Sequence, residues 1–192
     1  MKKNYTVWIV IGVIVLLVII IVGYSNNVYN KAINFQEQVD AKWGDVQTTY
    51  QRRADLIPNL VATVKGAAEN EKEILTKVTN ARAGIRSAKT PGEMELMGRE
   101  INSAINLAFE AYPQIRSTEG FRDLQAQLEG TENRIAVSRR NYNEAVQKFN
   151  RHIRGKFRKM ALRWFENEDD DFVKRELFEA DKGADVVPTV EF

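Results

Sequence analysis

The chain has 192 residues, with 28 lysines and arginines against 26 aspartates and glutamates. That length holds an anchor and one domain but no second enzymatic domain, and a formal charge of only +2 excludes a global field that would draw nucleic acid. There is no cysteine, which excludes a disulfide framework, a thiolate zinc site, a cysteine nucleophile and a thioether lipid.

From Tyr5 to Tyr24 the sequence reads YTVWIVIGVIVLLVIIIVGY, an uncharged run close to the roughly 20 residues that cross a hydrocarbon core as a helix. A cleavable signal peptide has an apolar stretch of only about 7 to 15 residues and a small-residue cleavage site, so this run reads as an uncleaved anchor over residues 1–27. Gly12 and Gly23 lack the four-residue spacing of a small-residue dimer face, and Tyr5, Trp8 and Tyr24 suit the two interfaces. Lys2 and Lys3 precede the run, whereas Ser25 to Asn30 is uncharged before Lys31 and Lys42. The positive-inside rule therefore places the N-terminus in the cytoplasm and the rest of the chain across the membrane.

Beyond the anchor, Tyr29, Ile33, Gln36 as the one polar exception, Val39, Trp43, Val46, Tyr50 and Ala54 recur in steps of three and four, the signature of a helix with one buried stripe. The same phase continues through Ile57, Val61, Val64, Ala68, Leu75, Val78 and Ile85, which predicts one long helix over about 28–88, kinked at Pro58. Thr90-Pro91-Gly92-Glu93 then sets a capping threonine, proline at the first helical position and glutamate at the third. A second helix over about 91–112 follows, with Met94, Met97, Ile101, Ile105, Ala108 and Tyr112 as its stripe. Pro113 ends it and opens a turn, since the residue before proline disfavours helical angles. The third helix, about 118–154, carries Phe121, Leu124, Leu128, Thr131, Ile135, Ser138, Tyr142, Ala145, Phe149 and His152 in an unbroken heptad pattern. Three such stripes in water are satisfied together by an antiparallel bundle of long helices over residues 28–165. The fold class is therefore all-α, a transmembrane helix followed by that bundle.

The bundle ends in the basic, aromatic stretch RHIRGKFRKMALRWF, where Arg154, Lys156, Phe157, Arg158, Lys159, Trp164 and Phe165 are candidates for contact with a membrane surface. Residues 166–192 begin acidic and read as an extended or flexible tail, and its last residues, Val190 and Phe192, are a candidate for capture by a peptide-binding partner.

One polar cluster stands out. Arg52, Arg53, Asp55 and Asn59 flank Pro58, Glu132, Asn133 and Arg134 lie midway along the third helix, and antiparallel packing would let the two groups meet. Their expected role is to fix helix register. His152 is the only histidine, too isolated for a metal site that wants three or four converging ligands, and Thr131 and Ser138 have no base histidine beside them. No Gly-rich phosphate loop, HExxH or Ser-His constellation is present, so no catalytic, cofactor-binding or metal-binding residue is assigned.

Three stretches resemble the LemA family: VDAKWGDVQTTYQRRADLIPNLVATVKG from Val39, EAYPQIRSTEGFRDLQAQLEGTENRIAVSRRNYNEAVQKFN from Glu110, and the terminal LFEADKGADVVPTVEF. The resemblance implies an N-terminal transmembrane helix and long bundled helices in the bacterial cell envelope, with no activity or cofactor attached. A family branch associated with magnetosome formation implies a role in organising membrane. Where family members usually have a proline-containing turn after the third helix, this chain has Arg154-Gly155-Lys156-Phe157-Arg158-Lys159, which leaves open whether that helix breaks or runs on. The expected function is a non-enzymatic scaffold or adaptor, single-pass in the bacterial inner membrane. The alternative is a self-assembling, membrane-remodelling protein. The expected partners are the lipid bilayer and either further copies of the chain or another envelope protein, with no nucleic acid and no small-molecule substrate.

Overall fold

A computed structural model describes residues 3–63, 68–111, 119–165 and 172–179. In chain order the elements are α1 (Lys3–Thr63), α2 (Ala68–Ser87), α3 (Pro91–Ala111), α4 (Glu119–Ile153) and α5 (Lys156–Phe165). There is no strand among the described residues, and the all-helical fold read from the periodicity holds. Contacts divide the chain into two compact units, residues 42–143 with 176–192 and residues 1–41 with 144–175.

In the first of these units, α1 and α2 run antiparallel. Trp43 Nε1 donates to the Ala88 carbonyl at 3.3 Å, Gln47 Nε2 donates to the Ile85 carbonyl at 3.2 Å, and Asp55 pairs with Arg82, so the partner retreats as α1 advances. In one continuous helix, residues 43 and 88 would stand about 68 Å apart at 1.5 Å per residue. The expected single helix over 28–88 is therefore two helices folded back on each other. The reason is physical: two helices packed on one core each need a stripe, and a stripe's spacing carries no information about chain direction. Pro58 does lie inside α1, and the reversal comes beyond it.

The start of α3 follows the capping pattern with one difference. Thr90 Oγ1 accepts the Glu93 N–H at 3.3 Å, and the Glu93 carboxylate accepts the N–H of Lys89 at 2.7 Å rather than that of Thr90 itself. α3 packs on α2 and also approaches α1 closely. A Cβ on Gly98 would sit 2.8 Å from Cε1 of Tyr50, a ring that is itself buried. α4 returns antiparallel to α1, with Thr49 and Ser138 sharing a hydroxyl hydrogen bond at 3.0 Å and Trp43 against Tyr142 with ring centroids 5.2 Å apart. The core of this unit comprises Val46, Tyr50, Ala54 and Ile57 of α1, Val78, Ala81 and Ile85 of α2, Met94, Ile101 and Ala104 of α3, and Leu124, Leu128 and Ile135 of α4.

In the other unit, α1 leaves its apolar run and becomes packed. The run itself is wholly exposed, an 18-residue window of it has a mean hydropathy of 3.2, and α1 is long and apolar enough there to cross a membrane. Packing begins at Ser25 and Val28 and continues through Ala32 and Val39, against a core that includes Ala145, Val146, Phe149, Ile153, Ala161 and Leu162. The buried positions fall on Val28 and Ala32 rather than on the expected Tyr29 and Ile33, which are half-buried. α4 breaks after Ile153. Arg154 N–H closes the last turn on the Asn150 carbonyl at 3.2 Å, and the Gly155 carbonyl accepts Lys159 N–H at 2.7 Å to open α5. Glycine is a tolerated helix N-cap, which is how the chain breaks here without the proline-containing turn usual in the resembling family.

Candidate functional site

A large concavity among the described residues lies where the apolar run of α1 ends. It is a cleft of about 920 Å³. One wall is amide-rich, with Asn26, Asn30 and Asn34 repeating every four residues along α1 and Gly23 and Asn27 beside them. The other wall is basic: Lys148 and Arg151 from α4 and Arg158 from α5, with Lys31 of α1 joining them. Among the described residues, no carboxylate lines it. None of these four cations makes an ion pair among the described residues.

His152 builds the floor. Its Nε2 lies 2.9 Å from the Val28 carbonyl and must donate to it, which leaves Nδ1 to accept from Arg158 Nη1 at 3.3 Å. The ring is buried and meets Phe35 edge-on at 5.3 Å between centroids. One imidazole thus ties α1 to α4 and holds the α5 guanidinium at the cleft. Sequence spacing alone marks His152 only as a stripe residue. The missed signal was the amide periodicity of Asn26, Asn30 and Asn34, residues poor as helix formers and yet placed on one helix face.

The polar cluster read from the sequence is partly assembled. Arg53 reaches Glu132 across α1 and α4, whereas Asp55 turns to Arg82 of α2. Arg52, Asn133 and Arg134 are exposed, and the side chain of Asn59 lies outside the described residues. Burial pushes the Arg53 guanidinium below its ordinary pKa, an effect that the neighbouring Tyr50 opposes. Thr131 and Ser138 donate back into α4, to the carbonyls of Leu128 at 2.8 Å and Ile135 at 3.0 Å. Among the described residues no three of His, Asp and Glu converge on a point that would hold a metal ion. Pro113, Val190 and Phe192 lie outside the described residues.

Residues 172–179 correct the expectation of a flexible tail for that part of it. They form neither helix nor strand, yet their backbone is held by side-chain amides. Asn143 accepts from Phe178 N–H and donates to Phe178 C=O, both at 2.9 Å. In the other unit, Asn150 treats Arg175 in the same way, at 3.0 and 2.8 Å. Phe178 is buried against Trp43 and Tyr142, with the Arg139 guanidinium 4.9 Å above its ring, and Arg139 also bonds Glu95 and the Glu179 carbonyl.

The basic aromatic stretch is split between the last turn of α4 and the amphipathic helix α5. Its Ala161 and Leu162 are buried, whereas Phe157, Met160 and Trp164 are exposed, at 75%, 51% and 62%. Arg154, Lys156 and Lys159 are exposed, Arg158 is half-buried at the cleft, and the Phe165 side chain lies outside the described residues.

The sequence profile of the LemA family matches residues 42–192, most of the chain. A relative named Protein LemA, from Metamycoplasma hominis, is 24% identical over 147 residues, covering 72% of this chain and 67% of that protein. The match takes in α2, α3, α4 and α5, the Arg53–Glu132 pair and the segment that carries Phe178, and on it the chain belongs to the LemA family.

Proposed function

We propose that this chain is a non-enzymatic scaffold or adaptor of the bacterial cell envelope, single-pass in the inner membrane with its N-terminus in the cytoplasm. The observation that carries the reading is the continuity of α1. One helix leaves a wholly exposed apolar run and enters the packed core at Val28, Ala32 and Val39 with no break between. An anchor built that way orients what is packed on it, which is what a scaffold needs and a tethered enzyme on a flexible linker does not.

The test is to crosslink the native protein in its membrane and identify the attached proteins by mass spectrometry. Ordered multiples of the chain, or one distinct envelope protein, support the reading. Turnover of a substrate by the purified full chain in an unbiased activity screen overturns it. A second reading, a membrane-organising protein that assembles on the bilayer, is favoured by the exposed apolar face of α5. Concentration-dependent oligomers that deform vesicles would distinguish it from an adaptor.

A further inference from the structure

We infer that the cleft at the end of the apolar run binds the phosphodiester head group of an anionic phospholipid. This rests on the reading that the run crosses a bilayer. Tyr24 is its last residue, and Gly23 and Asn26 line the cleft, so a chain inserted to that depth holds the cleft at the level of the head groups.

The lining chemistry selects the ligand class. Lys31, Lys148, Arg151 and Arg158 bring four positive charges to one concavity, with no carboxylate among the described residues of its walls. Four like charges gathered in one concavity repel one another, and a bound anion relieves that repulsion. The fork of a guanidinium matches two phosphate oxygens, and an ammonium adds a point charge. The amides of Asn26 and Asn30 offer both donors and acceptors, which suits ester oxygens and the hydroxyls of a glycerol head group. A zwitterionic choline lipid has the same phosphate, but its quaternary ammonium would add a further positive charge to a cleft already lined by four cations. The cleft therefore favours a net negative head group.

Two features show that the site is built rather than incidental. Arg158 is positioned by the buried His152, itself fixed on the Val28 carbonyl, so one of the four cations is held in place before any ligand arrives. The amide face from Asn26 to Asn34 also continues directly from the lipid-facing run, where a packed helix would carry apolar side chains and a fully solvated one charges.

The test uses the full chain reconstituted in nanodiscs of equal phosphatidylcholine and phosphatidylglycerol, with the lipids retained on the released protein identified by native mass spectrometry. The wild type should retain phosphatidylglycerol preferentially. The double variant Lys148→Gln, Arg151→Gln should lose about five-fold of that preference for each charge removed. A control double variant, Arg134→Gln, Arg140→Gln, removes two exposed charges from α4 outside the cleft and should keep it. Equal losses in the two variants, or no preference in the wild type, would overturn the site. Displacement of the retained lipid by inorganic phosphate alone would reassign it to a free anion and overturn the lipid proposal. Extraction of the chain from membranes by alkaline carbonate would overturn the anchor and the site together, whereas retention in the membrane without lipid preference would overturn the site alone.

Discussion

The side-chain amide of Asn143 satisfies both backbone polar groups of Phe178, accepting its N–H and donating to its C=O, each at 2.9 Å. A primary amide is the one common side chain that presents a donor and an acceptor in the same plane as a peptide, and so it can stand in for a neighbouring strand. That pairing is why an extended segment with no ladder of its own stays on a helix.

The first prediction follows from that geometry. Replacing Asn143 with alanine removes two hydrogen bonds, each worth about 0.5 to 1.5 kcal/mol net, and should destabilise the chain by roughly 2 kcal/mol. Asn143→Asp should do no better, because an ionised carboxylate accepts the Phe178 N–H but meets its carbonyl oxygen with a second acceptor. Hydrogen exchange at the Phe178 amide is the direct check: faster exchange in both variants is expected, and wild-type protection in the aspartate variant would refute the two-bond account.

Phe178 itself anchors the segment between Trp43, Tyr142 and Arg139. Phe178→Ala should cost about 3 kcal/mol, the low end for a buried phenylalanine because the segment that carries it can relax around the loss. Trp8 and Trp164 are exposed, so in a Trp8→Phe, Trp164→Phe background the emission reports Trp43 alone. Loss of the Phe178 ring, stacked at 22° and 6.0 Å, should shift that emission to the red. An unmoved spectrum would mean that water does not reach Trp43 when the segment is lost.

Three glycines on helices separate close approach from mere tolerance. Gly98→Ala drives a methyl against the buried Tyr50 ring and should destabilise by about 1 to 2 kcal/mol, even after the helix propensity of alanine is counted. At Gly44 and Gly130 an added Cβ would meet nothing within 4 Å, and alanine there should stabilise by up to about 1 kcal/mol. Thermal melts of the three single variants test the opposite signs.

The legibility of the fold tracks the physics of each signal. The stripe of α4 was readable almost residue by residue, because Leu124, Leu128, Thr131, Ile135, Ser138, Tyr142 and Phe149 are all buried on a single helix. The hairpin of α1 and α2 was not, since the stripes before and after the reversal happen to share a phase. The hold on Phe178 was also hidden. Asn143 and Asn150 lie seven residues apart beside the stripe, but an amide's partner is fixed only once a distant backbone arrives. The cleft was missed for a similar reason, as Lys31, Lys148, Arg151 and Arg158 come from three helices and read along the chain as scattered surface charge.

The last prediction concerns the pair most clearly foreseen, Arg53 and Glu132. The Arg53 side chain is only 12% exposed and that of Glu132 is 61% exposed, so most of the desolvation falls on the arginine and little of the attraction is sheltered from water. Glu132→Ala should therefore cost no more than about 1 kcal/mol. Arg53→Met, which keeps the buried stem and removes the buried charge, should be neutral or stabilising. If the pair nonetheless sets register, the cost will show in specificity rather than in stability. A chain without cysteine makes that measurable: Thr49→Cys with Ser138→Cys places two thiols where two hydroxyls now meet at 3.0 Å. Oxidation should close that disulfide in the wild-type background. Adding Arg53→Met should slow closure and raise mispaired products if the ion pair fixes register, and an unchanged yield with an unchanged melting temperature would assign the pair no role in either.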